Sequence, residues 1–549
     1  MYSSQNRSLI ALITIAGLGT VNAIWLPLAT ANSSIRRSSS IGEAGINALV
    51  LHQEPYNLRG RKIAIGQVEI GRPGRFGVDK TTAPRQNRSV SVERVFFRDA
   101  PPKVGANLDS HAQNVASIMI SNSKEAPGVA PAARLYASAV GTLRRSGQPE
   151  ECLASQHVAL QNGGDVRAIN FSFGESLRED PREGALLDGN ALLTQCVDWS
   201  SRVHNVLYVV AGNQGKGGIP IPTDNYNGIN VAYTTRVNGV FSRVDIANLG
   251  DPAAGIPDRI IGREANLGAR RAIGLLAPGN AITVINPDGR LTETSGTSFA
   301  TPHVTATVAL LQEFGDRQLS KRQPNWTVDA RRHEVMKAVL LNAADKLMDA
   351  GNGLALGMQR TVVDRSGRTW LESDAYRDPN IPLNIQMGTG HLNAFRAYQQ
   401  FSAGQWQSDS LAPAIGWDYS VVSAANTATE PQFRDYVLKQ PLQKGSYISV
   451  TLAWNRQVDL IDTNGNQQYD LGESFRDRGL NNLNLYLMRI DDTSNSQAIW
   501  ASTSDVDSVE HLFYQIPATG RYKIRVQYQT QVNDATQPYG IAWWSVPSQ

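Results

Sequence analysis

The stretch Thr294-Ser-Gly-Thr-Ser-Phe-Ala-Thr-Pro-His-Val304 places a glycine, a small threonine and Ser298 directly before a run of residues with helical spacing. Apolar side chains recur on one face of that run, which predicts a helix over 299–314. A serine at a helix start meets unpaired backbone N–H groups and the positive end of the helix dipole, which stabilise a developing oxyanion. Pro302 is expected in the first helical turn, where a missing N–H costs least. Ser298 is therefore a candidate nucleophile; alternatively, it is an ordinary N-cap serine.

These eleven residues resemble the nucleophile motif of the subtilases (peptidase family S8), in which Gly-Thr-Ser-Met/Phe-Ala-Thr/Ser-Pro-His-Val surrounds the catalytic serine. The resemblance implies that Ser298 is the nucleophile of a serine endopeptidase. It also implies that His303, on the helix, is structural. Leu276-Ala-Pro-Gly279 and the helix at 337–344 recur in the family as scaffold, so the resemblance covers about residues 55–400.

A histidine must serve as the base, and of the eight histidines only His111 lies in a matching context, Asn107-Leu-Asp-Ser-His-Ala-Gln-Asn-Val-Ala-Ser-Ile118. The family pattern is His-Gly-Thr-x-Val-Ala-Gly. Here Ala112, Gln113 and Ser117 depart from it, whereas the Val-Ala pair matches. The downstream segment Pro127-Gly-Val-Ala-Pro-Ala-Ala-Arg-Leu-Tyr136 resembles the family closely, and the resemblance implies that His111 is the general base.

The family places an aspartate after its first strand, where this chain has Gln67-Val-Glu69-Ile-Gly71. Aligning the strand and Gly71 puts Glu69 at the acid position, with a side chain one methylene longer than aspartate. A glutamate can still orient an imidazole and stabilise imidazolium. Asp109, two residues before His111, is the rival acid.

Two further segments shape the predicted cleft. Val209-Val-Ala-Gly-Asn213-Gln-Gly resembles the family motif that supplies a side-chain oxyanion donor, which implies that role for Asn213; alternatively, it is a turn asparagine. Ile169-Asn-Phe-Ser-Phe-Gly174 resembles the strand that pairs with substrate and lines the S1 pocket. Substrate is then expected as an added β-strand. The implied substrate-binding residues are Ser172, Phe173 and Gly174.

The hydrophobic pattern divides the chain into two folded parts. Over 61–401, short β-branched runs alternate with helical patterns, which predicts an α/β domain with a parallel sheet and helices on both faces. The resemblance implies that this sheet is subtilisin-like and that the domain is the catalytic one. Over 405–549, alternating patterns such as Tyr447–Trp454 predict a separate antiparallel β-sandwich. It resembles the all-β jelly-roll domain that follows some subtilase catalytic domains, and 402–405 has the composition of a short linker.

The N-terminus is built like a secretory signal, with Arg7, an apolar stretch and small-residue sites. We predict a signal peptide over 1–23, with 31 as the later cleavage site, and a short N-terminal or pro segment over 24–60. The apolar run is shorter than the roughly 20 residues that span a bilayer, so no stable membrane insertion is expected. The predicted location is extracellular or periplasmic. In an exported chain Cys152 and Cys196 could form one disulfide, which the sequence alone does not fix.

A loop of the β-sandwich has the ligand spacing of an EF-hand-like calcium site, Asp462-Thr-Asn-Gly-Asn-Gln-Gln-Tyr-Asp-Leu-Gly-Glu473. Position 6, usually glycine, is Gln467. The prediction is a structural Ca²⁺ site, and the alternative is an acidic, Asn-rich hairpin loop. The predicted ligands are Asp462, Asn464, Asn466, Gln468 through its backbone carbonyl, Asp470 and Glu473.

The 52 basic and 49 acidic side chains nearly balance, and basic residues occur singly or in isolated pairs, so no nucleic-acid partner is expected. The expected partners are polypeptide substrates, cut through an acyl-enzyme. Two alternatives stay open. The departures at Glu69, Ala112, Gln113 and Ser117 favour a catalytically impaired binding protein with a subtilase fold. A calcium-dependent adhesion or wall-binding protein would use the sandwich instead.

Overall fold

The computed structural model describes residues 40–79, 88–143, 146–212, 220–245, 269–425 and 431–548. Its first part is built on one large sheet, whose strands are β1 (Ala64–Glu69), β2 (Arg94–Phe97), β3 (Arg134–Ala139), β4 (Val166–Phe171), β5 (Leu207–Ala211), β6 (Ile229–Val237), β7 (Val240–Val244) and β8 (Ile273–Pro278). The strand order is β2-β3-β1-β4-β5-β6-β7, with β8 also paired to β6. All pairs are parallel except β6 with β7.

Helices cover both faces of this sheet. Their bounds are α1 (Ser110–Ile120), α2 (Gln148–Ala159), α3 (Gln161–Gly164), α4 (Leu192–His204), α5 (Thr297–Ser320), α6 (His333–Asn342), α7 (Asp374–Arg377) and α8 (Ala394–Ser402). Alternate residues of β5 enter different cores: Val209 packs with α1, α5 and α6, and Tyr208 packs with α2 and α4. This alternation requires strands that are apolar on both faces, and it confirms the predicted α/β class.

The second part consists of antiparallel strands. They are β11 (Ile415–Ser423), β12 (Phe433–Val437), β13 (Tyr447–Trp454), β14 (Gln457–Ile461), β15 (Ser474–Gly479), β16 (Asn482–Arg489), β17 (Trp500–Ser502), β18 (Val509–Gln515), β19 (Tyr522–Thr530) and β20 (Thr536–Trp544). Two four-stranded sheets, β11-β20-β13-β18 and β12-β19-β16-β17, enclose one apolar core, and β14 pairs with β15. A further hairpin, β9 (Ile282–Ile285) with β10 (Leu291–Thr294), precedes α5.

The sandwich is joined to the first part by buried contacts. Trp417, Ala453 and Ala542 belong to the same apolar core as α5 and α6. Buried Arg456, just after β13, pairs with Asp198 of α4 at 3.3 Å. The alternating pattern correctly predicts the strands, but it cannot show that the sheet of β11, β20, β13 and β18 has a second buried face. The sandwich is therefore not packed separately.

Part of the predicted N-terminal segment is also integrated. Ile46, Ala48 and Leu51 are fully buried in the core that contains α5. The Glu313 carboxylate of α5 accepts the backbone N–H groups of Arg59 and Gly60, each at 2.6 Å. Residues 1–39, with the predicted signal peptide, lie outside the described residues. Within the described ranges, no helix is long and apolar enough to cross a membrane.

Candidate active site

Ser298 is the second residue of α5, directly after Gly296-Thr297. Gly296 has φ 144°, a conformation that glycine adopts without steric cost. Pro302 is the sixth helical residue, not a first-turn residue as predicted from sequence. Its missing N–H leaves the carbonyl of Ser298 without the usual i to i−4 hydrogen bond.

Ser172 uses the carbonyl that Pro302 leaves available. The Ser172 hydroxyl donates to Ser298 O at 2.8 Å, and the Ser298 hydroxyl donates to Ser172 O at 3.1 Å. Asn170 of β4 donates to the Ser172 hydroxyl at 2.9 Å. This reciprocal pair holds the start of α5 against the carboxyl end of β4, so the candidate nucleophile lies beside the segment predicted to bind substrate.

The base and acid candidates meet at the carboxyl end of β1. Glu69, the last residue of β1, is 3% exposed, and its Oε2 lies 3.1 Å from His111 Nδ1. His111 is the second residue of α1, and its side chain is 38% exposed. The centroid of its ring lies 5.3 Å from the centroid of the Phe299 ring. Since Phe299 follows Ser298 on α5, the imidazole lies next to the helix start that carries the candidate nucleophile.

The environment of His111 favours its charged form. Burial lowers the pKa of His111, but the nearby Glu69 carboxylate, with a smaller contribution from Asp109, outweighs burial and raises this pKa above its ordinary value. Such a carboxylate stabilises the imidazolium that forms when histidine accepts a proton.

Gln67 supports this pair and was not singled out in the sequence. Its Nε2 donates to Ala112 O at 2.9 Å and lies 3.5 Å from Glu69 Oε1. Gln67 is two residues before Glu69 on a strand, so the period-2 rule puts both side chains on one face. That rule would have identified it from sequence.

The structure places Asp109 at the start of α1 as a helix cap, whereas the sequence offered it as the rival to Glu69 for the acid that orients His111. It is the N-cap of α1, and its carboxylate accepts the Ala112 N–H at 2.8 Å. Two residues near His111 that differ from the family pattern also make specific contacts. Gln113 Oε1 accepts the Gly74 N–H at 3.1 Å, and the Ser117 hydroxyl accepts the Ile285 N–H at 2.9 Å. These substitutions are built into the local structure.

His303 lies inside α5 and is fully buried. Its Nδ1 donates to Phe299 O at 2.8 Å. Burial lowers the pKa of His303 to about 4, which keeps the ring neutral at physiological pH. These contacts agree with a structural role.

The predicted oxyanion donor, Asn213, lies outside the described residues. The residue before it, Gly212, follows β5, and its carbonyl accepts the Thr297 hydroxyl at 2.7 Å. The chain that leads to Asn213 is therefore bound to the residue that precedes Ser298. Of the predicted substrate-binding residues, Phe173 is buried against Phe171, with ring centroids 5.0 Å apart, and Gly174 is partly exposed at the cleft.

The predicted calcium loop connects β14 to β15. Gln467 has φ 60°, so it takes the turn that glycine usually makes at position 6. Asp462 accepts the N–H groups of Gly465 and Gln467, both at 2.7 Å, and Asp470 accepts the side-chain amide of Asn464 at 2.7 Å. Across the described ranges, no three Asp, Glu, His or Cys side chains form a group that could hold a metal ion. Gln467 therefore makes the left-handed turn expected at position 6, whereas the loop carboxylates accept hydrogen bonds from within the loop and would have to turn inward to bind an ion.

This loop also contacts α2. Gln156 of α2 donates to Tyr469 O at 3.1 Å and accepts the Tyr469 N–H at 2.5 Å. Cys152 of α2 is disulfide-bonded to Cys196 of α4, the pairing that the sequence permitted. The loop is thereby fixed to the face of the first part that carries the disulfide.

Comparison with known proteins identifies relatives for the first part of the chain. The model of the subtilase family (Peptidase_S8) matches residues 38–359. Thermitase from Thermoactinomyces vulgaris is 25% identical over 259 residues, which are 47% of this chain and 75% of thermitase. A thermostable alkaline protease from Halalkalibacterium halodurans is 26% identical over 45% of this chain and 56% of that protease. Subtilisin E from Bacillus subtilis is 27% identical over 53% of this chain and 63% of that subtilisin. Two of these three alignments span less than two thirds of the relative's own length.

Solved structures include similar chains. A cold adapted subtilisin-like serine proteinase is 18% identical with a TM-score of 0.37, and the match covers 57% of this chain and 88% of that one. The MycP3 protease from the type VII (ESX-3) secretion system is 14% identical with a TM-score of 0.40, and the match covers 66% of this chain and 89% of that one.

Proposed function

The chain belongs to the subtilase family, and on that premise we propose that it is a serine endopeptidase with Ser298 as nucleophile, His111 as general base and Glu69 as orienting acid. The observation that carries this proposal is the 3.1 Å contact between Glu69 and His111 beside the start of α5. A buried carboxylate, an imidazole and a helix-terminal serine are the three parts that acyl transfer by a serine requires.

Acylation would begin when the Ser298 hydroxyl turns from Ser172 O toward His111. His111 Nε2 takes the hydroxyl proton as Ser298 Oγ bonds to the scissile carbonyl carbon. The Glu69 carboxylate accepts a hydrogen bond from His111 Nδ1–H, which orients the ring, and its charge stabilises the imidazolium. The proton then passes to the leaving amine as the C–N bond breaks, which leaves an ester on Ser298.

Deacylation would reverse these roles with water. His111 removes a proton from water as the oxygen attacks the ester carbonyl, and it returns the proton to Ser298 Oγ when the acid product leaves. In both steps the negative oxygen would be stabilised by the backbone N–H of Ser298 at the positive end of α5 and by the Asn213 amide. Polypeptide substrates would add a strand along Ser172, Phe173 and Gly174.

The test is fluorophosphonate labelling and casein hydrolysis by purified 24–549, compared with its Ser298→Ala variant. We expect both activities in the wild type and neither in the variant, because the probe reacts with an activated serine. A correctly folded wild type that neither labels nor cuts would overturn the proposal and favour the binding-protein alternative.

We also propose that the enzyme is exported and that its sandwich loop binds Ca²⁺ through Asp462, Asn464, Asn466, Gln468, Asp470 and Glu473. The ion would be structural, since the loop joins β14 to β15 and contacts α2 through Gln156. N-terminal sequencing of protein recovered outside the cytoplasm tests export: a start at 24 or 32 supports it, and an unprocessed cytoplasmic protein contradicts it.

A further inference from the structure

A cleft of about 320 Å³ begins where the predicted substrate-binding segment ends. Gly174 lines it, and Gly174 follows Ser172 by two residues, roughly 7 Å along an extended chain. The other walls are Ile70 after β1, residues 141–143 after β3 and the start of α2. A substrate strand beside Ser172–Gly174 would therefore direct one of its side chains into this cleft.

Three glutamates line the cleft: Glu151, Glu175 and Glu179. None of the described lining residues is lysine or arginine. Glu175 is held in place, because its carboxylate accepts the Gly147 N–H and, at 3.0 Å, the Ser146 hydroxyl. Glu179 is exposed at the rim.

Glu151 is the strongest sign that the cleft takes a ligand. It is 1% exposed, and its Oε2 has no hydrogen-bond partner among the described residues. A buried carboxylate oxygen without a partner is costly, so folded proteins seldom retain one that serves no purpose. Burial, the charge of the adjacent Glu175 carboxylate and a hydrogen bond between the two carboxyl groups raise the pKa of Glu151 well above its ordinary value, and burial likewise raises the pKa of Glu175. An entering cation would relieve both effects.

We propose that this cleft is a specificity subsite for a lysine or arginine side chain of the substrate, on the acyl side of the scissile bond, with Glu151 and Glu175 inside and Glu179 at the entrance. The inference rests on the proposed protease function. The cleft lies at the small end of the range of ligand sites, about 300–1,000 Å³, so it suits one extended side chain. Charge-assisted hydrogen bonds to a desolvated carboxylate would supply the selectivity.

The test compares kcat/KM for internally quenched peptides that carry arginine, norleucine or glutamate at one of the second, third or fourth positions before the cleaved bond. We expect at one of these positions a preference for arginine over norleucine of about tenfold or more, the size that a hydrogen bond to a charged group gives. The E151Q variant should lose most of that preference yet cut the norleucine peptide as the wild type does.

Two variants and one control keep the result interpretable. E179K changes only the exposed rim, so it should fold normally and shift preference from arginine toward glutamate. E183Q removes an exposed charge outside the cleft lining and should change nothing. The R144A/R145A variant removes two arginines that follow Leu143 of the cleft lining in the sequence. An arginine preference that appears in this variant but not in the wild type would show that the three glutamates bind Arg144 and Arg145 instead of substrate, and it would overturn the proposal.

Failure of this inference is distinct from failure of the proposed function. If fluorophosphonate labels the wild type and the norleucine peptide is cut, the protease is active. Equal rates for arginine and norleucine at all three positions, in wild type and E151Q alike, would then refute the subsite alone.

Discussion

Replacing Glu69 by glutamine tests the least usual part of the proposed site. The substitution keeps the side-chain size but removes the charge 3.1 Å from His111 Nδ1. At that distance and an effective dielectric constant of about 20, the carboxylate attracts an imidazolium by about 5 kcal/mol, or nearly 10⁴ in rate. The His111 side chain is 38% exposed, so solvent screens part of this attraction. We therefore expect kcat/KM to fall about 10³-fold.

The pH profile gives a second, independent readout. His111 must be neutral to accept the Ser298 proton, so kcat/KM rises with pH through the pKa of His111 in the free enzyme. Glu69 raises that pKa, and E69Q removes this contribution. The acid limb of the profile should therefore move to lower pH in the variant. A shift to higher pH would contradict the proposed contact.

E69D serves as the matched comparison. Aspartate restores the charge but withdraws the carboxylate by about 1.5 Å, beyond hydrogen-bonding distance of Nδ1. Its activity should lie between those of E69Q and wild type, even though aspartate is the usual family residue. The assay is hydrolysis of a fluorogenic peptide, with circular dichroism to confirm folding. A folded E69Q within tenfold of wild type would show that Glu69 does not orient the base.

Three further variants test other parts of the molecule. Asn213→Ala should lower kcat about 10²- to 10³-fold with little change in KM, measured with the same peptide, and a change below tenfold would exclude Asn213 as the oxyanion donor. Calcium at 100 times its Kd should stabilise the folded chain by about 2.7 kcal/mol in thermal unfolding, and Glu473→Gln should abolish this gain; an unchanged Tm in calcium and in EDTA would refute the site. Arg456→Met removes the ion-pair partner of buried Asp198, which keeps only neutral hydrogen bonds such as those from the Tyr226 and Asn227 N–H groups, and should cost about 3–5 kcal/mol in one cooperative transition; calorimetry showing that only the sandwich melts earlier would contradict this coupling.

Hydrophobic patterning predicted the bounds of β13 well because its apolar residues alternate and the run is flanked by turn residues. The strand Tyr447–Trp454 has the predicted bounds. Helix α5 was predicted over 299–314 but continues to Ser320. Its last turns are more polar, and apolar periodicity does not register a helix continued by polar residues.

The candidate site was predictable in its residue types but not in its contacts. Ser298, His111 and Glu69 carry recognisable neighbours in sequence, and the structure brings the latter two within 3.1 Å. The reciprocal hydrogen bonds of Ser172 and Ser298 join residues 126 positions apart, and they arise only when α5 packs on β4. Sequence patterns describe one element at a time, so they do not predict contacts between elements that are distant in the sequence.

The contacts of α6 argue that the sandwich belongs to the catalytic folding unit. Asn342, at the end of α6, accepts hydrogen bonds from the buried hydroxyls of Ser449 at 2.8 Å and Thr451 at 3.2 Å, both on β13. On β20, a Cβ at Gly540 would lie 2.5 Å from the Glu334 carbonyl carbon, so only glycine permits this close approach.

Helix α6 shares its apolar core with α5, the helix that carries Ser298. Removing the sandwich would expose buried apolar surface and leave the polar side chain of Asn342 without its partners on β13. The loss would then reach α5, which carries Ser298, through the core that α5 and α6 share. A truncated chain would therefore report on the stability of the catalytic part before it could report on any binding function of the sandwich.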